Sequence, residues 1–135
     1  FAQKDALGQD ALLLVPPAER ARARHVALAY AELVRAEVEY LAISADTTEA
    51  DLKQRRELLA GGHVGWSDSP PVRAALRGRL LVLDGLERAE RNVLPTLNNL
   101  LENRELSLDD GRLLVEGRRH LQLRAREASG AALPA

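Results

Sequence analysis

Three short apolar runs, separated by segments in which apolar residues recur at helical spacing, constrain the fold of this chain most strongly. The runs lie at 11–15 (ALLLV), 37–44 (EVEYLAIS) and 79–84 (RLLVLD). Short apolar stretches that end in proline or in polar and charged residues are typical of buried or half-buried strands. Because strands that alternate with helices favour right-handed crossovers, the pattern predicts a mostly parallel sheet covered by helices.

The segments between and after these runs carry helix signals. The predicted helices are 19–35, 46–59, 70–77 and 92–101. The second opens on a capping-box pattern from Asp46 to Glu49, and Asn92 is the predicted cap of the fourth. A loop at 60–69 is predicted to join the second helix to the third.

The C-terminal third predicts a hairpin and one more strand. Asp109-Asp110-Gly111 separates two segments, 104–108 and 112–115, which is a hairpin signal. Residues 120–125 alternate in polarity and predict a further short strand. The fold class expected is therefore α/β, a three-layer sandwich with a mostly parallel sheet and a β-hairpin insertion. The expected division is an N-terminal extension over 1–10, an α/β core over 11–125 and a disordered tail over 126–135.

Composition excludes several classes of site. The 135 residues include no Cys, so there is no disulfide framework, thiolate metal site or cysteine nucleophile. The three His residues are too far apart in sequence to suggest a zinc pair. A formal net charge of −1 and few aromatic residues argue against nucleic acid, and the longest apolar run is too short for a membrane span. Because the chain contains no Met and begins at Phe1, we expect it to be a fragment.

The carboxyl ends of the predicted strands are where an α/β sheet holds its ligand. A phosphate-binding loop needs glycines, a lysine and Ser or Thr, and segment 15–20 has none of them. Arg20, Arg22 and Arg24 would supply positive charge at a helix N-terminus, or would form a solvated helix face. The sequence leaves both interpretations open.

Asp84 ends the clearest strand. In phosphoryl-transfer sites an acid at such a place holds Mg²⁺ through water, and a neighbouring Glu orients the attacking water. Here position 85 is Gly, and Glu87 is the nearest carboxylate after it. The alternative is that Asp84 caps the turn that follows its strand.

Several stretches resemble the MoxR-like, dynein-related branch of the AAA+ ATPases. They are 37–40 (EVEY), 46–58 (DTTEADLKQRREL) and above all 81–115 (LVLDGLERAERNVLPTLNNLLENRELSLDDGRLLV). The resemblance covers about residues 11 to 115. It implies a P-loop NTPase fold, present here as a partial AAA+ core without its lid domain.

The resemblance also implies roles for individual residues. It places 15–20 at the Walker A position, 60–69 at the helix-2 insert and 104–115 at the hairpin before sensor 1, and both insertions usually face the pore of a ring. Asp84 and Glu87 would be catalytic, with Asp84 holding Mg²⁺ through water. The nucleotide-binding residues that it implies, in a degenerate Walker A motif, are Pro16, Pro17, Ala18, Glu19, Arg20, Arg22 and Arg24.

Two departures from the family pattern argue against hydrolysis. Val15-Pro16-Pro17-Ala18 stands where Gly-Pro-Pro-Gly is usual, with no Gly-Lys-Ser/Thr after it, and Asp84-Gly85 stands where Asp-Glu is usual. We therefore predict a partial AAA+ domain that binds ATP with Mg²⁺ weakly, or without hydrolysing it, within a chaperone-like remodelling machine. The partners implied are other AAA+ protomers in a ring and a protein client, with no nucleic acid and no membrane.

The alternative function is a non-enzymatic module that contributes a ring or partner interface and needs no cofactor. Its predicted contact residues are Trp66, Asp109, Asp110 and Gly111. A third possibility is a gene remnant that does not fold stably. By resemblance the location would be cytoplasmic, or mitochondrial for a eukaryotic relative.

Overall fold

The computed structural model describes residues 1–58 and 60–128. Its helices are α1 (Ala2–Ala6), α2 (Arg20–Leu33), α3 (Glu49–Leu52), α4 (Pro70–Arg77), α5 (Leu94–Asn98) and α6 (Gly117–Ala128). Its strands are β1 (Val38–Ala42), β2 (Gln54–Leu58), β3 (Val64–Asp68), β4 (Leu80–Asp84), β5 (Glu105–Ser107) and β6 (Leu113–Val115). Short 3-10 helices span Pro17–Glu19 and Leu86–Arg88, and a π-helical turn at Asn99–Asn103 continues α5.

The centre of the fold is the parallel pair of β1 and β4. Tyr40 lies opposite Val82 in the register of this pair. Since successive side chains of a strand point to opposite faces, Tyr40 and Asp84 share one face while Leu41 and Leu83 share the other.

Helices cover both faces of this pair. α2 lies on the Tyr40 face, where Arg24 hydrogen-bonds to Asp84. On the opposite face, Arg73 of α4 donates two hydrogen bonds to Glu39 of β1, at 2.8 and 3.0 Å. The predicted α/β class and its layering are therefore confirmed. The sheet is narrower than predicted, because only two parallel strands pair within the described residues.

Two apolar clusters form the core. The first consists of Ile43, Leu52, Val93 and Leu97, each at most 3% exposed, packed against Leu41, Leu83, Leu86 and Ala89. The second consists of Val72, Leu106 and Leu108, packed against Leu100 and Leu114. The first cluster attaches α3 and α5 to the parallel pair, and the second attaches the β5–β6 hairpin to α4.

Elements with strong local signals lie where the sequence predicts them. They are α2, β1, α4, β4 and the β5–β6 hairpin, in which Leu106 lies opposite Leu114. α4 starts on its two prolines and ends at Gly78, whose φ of +65° is left-handed. α5 begins at Leu94 after Val93, so the prediction of Asn92 as its cap is wrong.

The predicted helix over 46–59 is wrong. α3 is a single turn, with Thr48 as its N-cap and Asp51 completing the capping box. β2 follows at once and pairs antiparallel with β3, so the segment 60–69 contains a strand where a loop was expected. Cross-strand pairing with β3 overrides the helical propensity of β2, because strand formation depends on neighbours that local sequence does not show.

The predicted buried strand over 11–15 is also wrong. These residues have no regular secondary structure and pair with no described strand. Their large side chains are exposed, with Leu12 at 71% and Leu14 at 87%. A run that is apolar on both faces becomes a strand only when neighbouring strands and two covering layers enclose it, and this segment has neither.

The predicted strand over 120–125 is a helix. These residues lie within α6, whose sequence is rich in Arg, Leu, Gln and Ala, all good helix formers. Arg119 of α6 forms an ion pair with Glu105 of β5. Residues 126–128 of the predicted disordered tail also belong to α6, and 129–135 lie outside the described residues. No helix in the described part of the chain is long and apolar enough to cross a membrane.

Candidate functional site

The carboxyl end of β4 holds the acid that the sequence singles out. Asp84 Oδ2 accepts a hydrogen bond from the Tyr40 hydroxyl at 2.6 Å and another from Arg24 Nε at 2.8 Å. A second guanidinium nitrogen of Arg24 lies 2.6 Å from the same oxygen. The Asp84 side chain is only 13% exposed, so these donors enclose it.

Tyr40 and Arg24 hold Asp84 in its charged form. The hydrogen bond from Tyr40 is the largest effect that lowers the pKa of Asp84, and Arg24 lowers it further, while partial burial acts in the opposite direction. The pKa of Tyr40 is raised, by burial first and then by its bond to Asp84. The guanidinium carbon of Arg24 also lies 5.5 Å from the centre of the Tyr40 ring, within range of a cation–π interaction.

Helical spacing decides which arginines reach this end of the sheet. Arg20 and Arg24 are four residues apart and so share one face of α2. Arg20 forms an ion pair with Glu87, next to the pair between Arg24 and Asp84. Arg22 points elsewhere: its side chain is 81% exposed, and its nearest carboxylate is that of Glu19, at 3.6 Å.

Ion pairs engage the arginines at the start of α2. The three arginines at the start of α2 face three carboxylates, those of Glu19, Asp84 and Glu87. A triphosphate brings several negative charges, so it would have to compete with these carboxylates for the guanidinium groups. Arg24 holds α2 against β4, and Glu87 is shared between Arg20 and a fourth arginine, Arg88, at 3.6 Å.

The loop before α2 is poor in backbone donors. Pro16 and Pro17 have no N–H, and the N–H of Glu19 already donates to the carbonyl of Pro16 at 2.9 Å. Phosphate-binding loops work through several free N–H groups that point at the same oxygens. Pro16, Pro17 and Glu19 therefore do not form such a cradle.

Asp84, the predicted Mg²⁺ residue, has one carboxylate oxygen engaged by hydrogen bonds from Arg24 and Tyr40. Mg²⁺ requires nearly octahedral coordination by oxygen atoms. Glu87 is paired with Arg20. Among residues 1–58 and 60–128, no three His, Cys, Asp or Glu side chains cluster closely enough to hold a metal ion.

Gly85 stands where the family motif has its second acid, and its backbone conformation suits glycine. Its φ is +88°, and a Cβ placed on it would lie 2.9 Å from the carbonyl oxygen of Ile43. A side chain here would meet both backbone strain and a backbone clash. Glutamate at position 85 is therefore incompatible with this backbone.

The predicted partner-contact residues lie on two hairpins. Trp66 of β3 is 37% exposed, and Arg56 of β2 stacks over its ring at 4.8 Å. In the turn of the β5–β6 hairpin, Asp109 is exposed and Gly111 has a φ of +91°. Asp110 accepts a hydrogen bond from Gln54 of the β2–β3 hairpin. The structure thus joins the turn to the hairpin that carries Trp66.

Two residues important to these sites escape the sequence reasoning. Tyr40 is recognised there only as a strand residue, although its hydroxyl can donate to a carboxylate and Asp84 ends the neighbouring strand. Gln54 falls inside the wrongly predicted helix, so its burial to 1% exposure could not be inferred.

Comparisons with known proteins identify a family that this chain matches. A family profile described as "AAA domain (dynein-related subfamily)" matches residues 22–128. A Mus musculus protein named "von Willebrand factor A domain-containing protein 8" is 59% identical over 121 residues, which cover 90% of this chain. The chain spans about 6% of the length of that relative. The family match begins after the 15–20 loop and includes both hairpins and β4.

Proposed function

This chain belongs to the dynein-related subfamily of AAA domains, and from that premise we propose that it is a non-hydrolysing AAA module that contributes an interface to a larger AAA assembly. AAA domains are ATPase-type nucleotide-binding modules that typically assemble into rings. The proposal retains the assembly role and sets aside the catalytic one.

The state of Asp84 carries this proposal. A Walker B aspartate must be free to hold a hydrated Mg²⁺, and its neighbour must orient water. Here Arg24 and Tyr40 both bond to Oδ2 of the carboxylate, and Gly85 has no side chain to orient water. The acid thus serves as the anchor of α2 on the sheet.

A purified chain in a thermal melt tests the nucleotide part of the proposal. A ligand at 100 times its Kd adds about 2.7 kcal/mol to the free energy of unfolding, which is easily detected. We expect millimolar MgATP to leave Tm unchanged and phosphate release to stay at the buffer rate. A dose-dependent rise in Tm that Asp84→Ala abolishes would contradict the proposal.

The interface part of the proposal depends on the two hairpins. In the full-length protein we expect Trp66→Ala, or deletion of 109–111, to lower the assembly state measured by sedimentation. Leu14→Ala is the matched control, because Leu14 is apolar and 87% exposed but lies outside the hairpins. Normal assembly of both hairpin variants would refute the interface role.

Weak ATP binding without hydrolysis is the second candidate, and the exposure of Arg22 favours it. This guanidinium has a carboxylate partner only at 3.6 Å, so it is the most available of the three for a phosphate. That function predicts a rise in Tm with ATP that persists in EDTA and disappears in Arg22→Ala. The absence of any rise in EDTA would exclude it.

A further inference from the structure

Four side chains form a closed ring of hydrogen bonds where the two hairpins meet. Gln54 Nε2 donates to Asp68 Oδ1 at 2.7 Å and to Asp110 Oδ2 at 2.9 Å. Arg112 bridges the same two carboxylates: its Nε donates to Asp110 Oδ2 at 2.6 Å and its terminal nitrogen to Asp68 Oδ1 at 2.8 Å. Each donor therefore contacts both acids, and each acid contacts both donors.

Gln54 is buried at the centre of this ring. It is 1% exposed, and its Oε1 accepts the backbone N–H of Asp110 at 3.2 Å, so both ends of its amide are used. A buried amide that loses its partners keeps the cost of desolvation without its hydrogen bonds, so the arrangement is preferred over a separated one. The contact joins residues 56 positions apart in the sequence.

Both acids are fixed on their own side of the ring. The backbone carbonyl of Asp68 accepts a hydrogen bond from Arg73 of α4 at 2.7 Å. Asp110 Oδ1 accepts the backbone N–H of Arg112 at 3.0 Å, which stabilises the turn of the β5–β6 hairpin. The pKa of Asp110 is lowered, chiefly by the bond from Gln54, so the acid stays charged at neutral pH.

We propose that this ring is a joint that makes the β2–β3 and β5–β6 hairpins one rigid unit, with Gln54 and Arg112 as positioning residues that hold the 109–111 turn against the hairpin of Trp66. A motion of either hairpin is then transmitted to the other. The inference does not depend on nucleotide chemistry, since none of the four residues contacts Asp84 or α2 through the bonds described.

A double-mutant cycle on the full chain tests the joint. Gln54→Ala and Asp110→Ala both remove the hydrogen bond between Gln54 and Asp110, so their effects on the unfolding equilibrium constant should overlap. We expect the product of the two single fold-changes to exceed the fold-change of the double variant by more than threefold. Agreement within threefold would overturn the proposal.

The matched control is a second cycle in which Arg55, the next residue in the sequence, takes the place of Gln54. Arg55 is on the opposite face of β2 and bonds to Asp51, outside the ring. The fold-change in the unfolding equilibrium constant of the double variant Arg55→Ala/Asp110→Ala should equal the product of the two single fold-changes. If Gln54→Ala does not fold, Gln54→Met keeps the length of the side chain and replaces it in the cycle.

Amide hydrogen exchange distinguishes a joint from a merely local contact. In Gln54→Ala the amides of Leu106 and Leu114 should exchange at least threefold faster, although no residue of their hairpin is changed. In Arg55→Ala their exchange should stay within threefold of the wild-type rate. Exchange in Gln54→Ala that stays within that limit would refute transmission between the hairpins.

Discussion

Gly85 is the residue at which this chain departs most firmly from an active AAA site. Its left-handed backbone and the nearby carbonyl of Ile43 leave no room for a side chain. Glycine at this position, where the family usually has glutamate, therefore suits the surrounding backbone. Reintroducing the acid at position 85 would require the turn after β4 to move.

Substitution of Gly85 tests this account of the turn. We expect Gly85→Ala to lower the free energy of unfolding by about 2–4 kcal/mol, through left-handed strain together with the clash. Gly111→Ala is the control: its φ is +91°, but nothing lies within 4 Å of its Cβ position, so strain alone should cost about 1 kcal/mol. Equal losses in urea denaturation would contradict the clash.

Glu39 is the most strongly perturbed acid at the residue scale. It is 7% exposed and accepts hydrogen bonds from Arg73 and Arg79, which lower its pKa from 4.5 to about 2. Because the folded pKa lies below the unfolded one, its stabilising contribution is complete above about pH 4.5. That contribution is lost as the pH falls toward 2.

The pH dependence of unfolding should show this contribution. In the wild type we expect Glu39 to account for roughly 1–3 kcal/mol of the loss in stability between pH 5 and pH 2. Glu39→Gln should flatten the curve in that range, whereas Glu37→Gln, at a side chain 71% exposed, should leave it steep. Curves of the same slope in all three proteins would refute the role of Glu39.

At the scale of elements, segment 11–15 and helix α3 behave in opposite ways. Leu14 is 87% exposed, whereas Leu52 of α3 is fully buried in the first core cluster. Leu14→Ser should change the free energy of unfolding by no more than about 0.5 kcal/mol, and Leu52→Ala should lower it by about 2–5 kcal/mol. A large loss in Leu14→Ser would show that 11–15 is packed in solution.

The sequence predicted the elements whose signals are local. β4 is a short apolar run that ends in Asp84, and α4 has prolines in its first turn and a glycine at its end. The elements it missed depend on partners distant in sequence. β2 forms because β3 pairs with it, and 11–15 is not a strand because it has no neighbouring strand. α6 is a helix, as the helix propensity of its residues favours, although the alternation at its two leucines predicted a strand.

The residues of the candidate site also divide into those with local sequence signals and those whose roles depend on distant partners. Asp84 and the arginines of α2 could be identified because a strand end and a helix start are local features. Their pairing with each other could not, since it depends on the packing of α2 over the Tyr40 face. Gln54 and Asp68 were missed because their roles arise from strand register, which the wrong helix over 46–59 concealed.

At the scale of the whole molecule, the fold has two structural parts. The parallel pair, α2 and the first core cluster form one part, in which Asp84 and Arg24 hold α2 against β4. The two hairpins form the other, attached through α4 and the ring around Gln54. Under the proposed function, the hairpins would carry the contact surface and the first part would only support them.

The most direct measurement is binding of a divalent cation at Asp84. Paramagnetic Mn²⁺ can stand in for Mg²⁺, since it broadens the NMR signals of nearby amides. We predict that Mn²⁺ with ATP leaves the amide signals of Asp84 and Gly85 unbroadened. Selective broadening of these signals, removed by Asp84→Asn, would contradict the central claim that Arg24 and Tyr40 close this carboxylate to a metal.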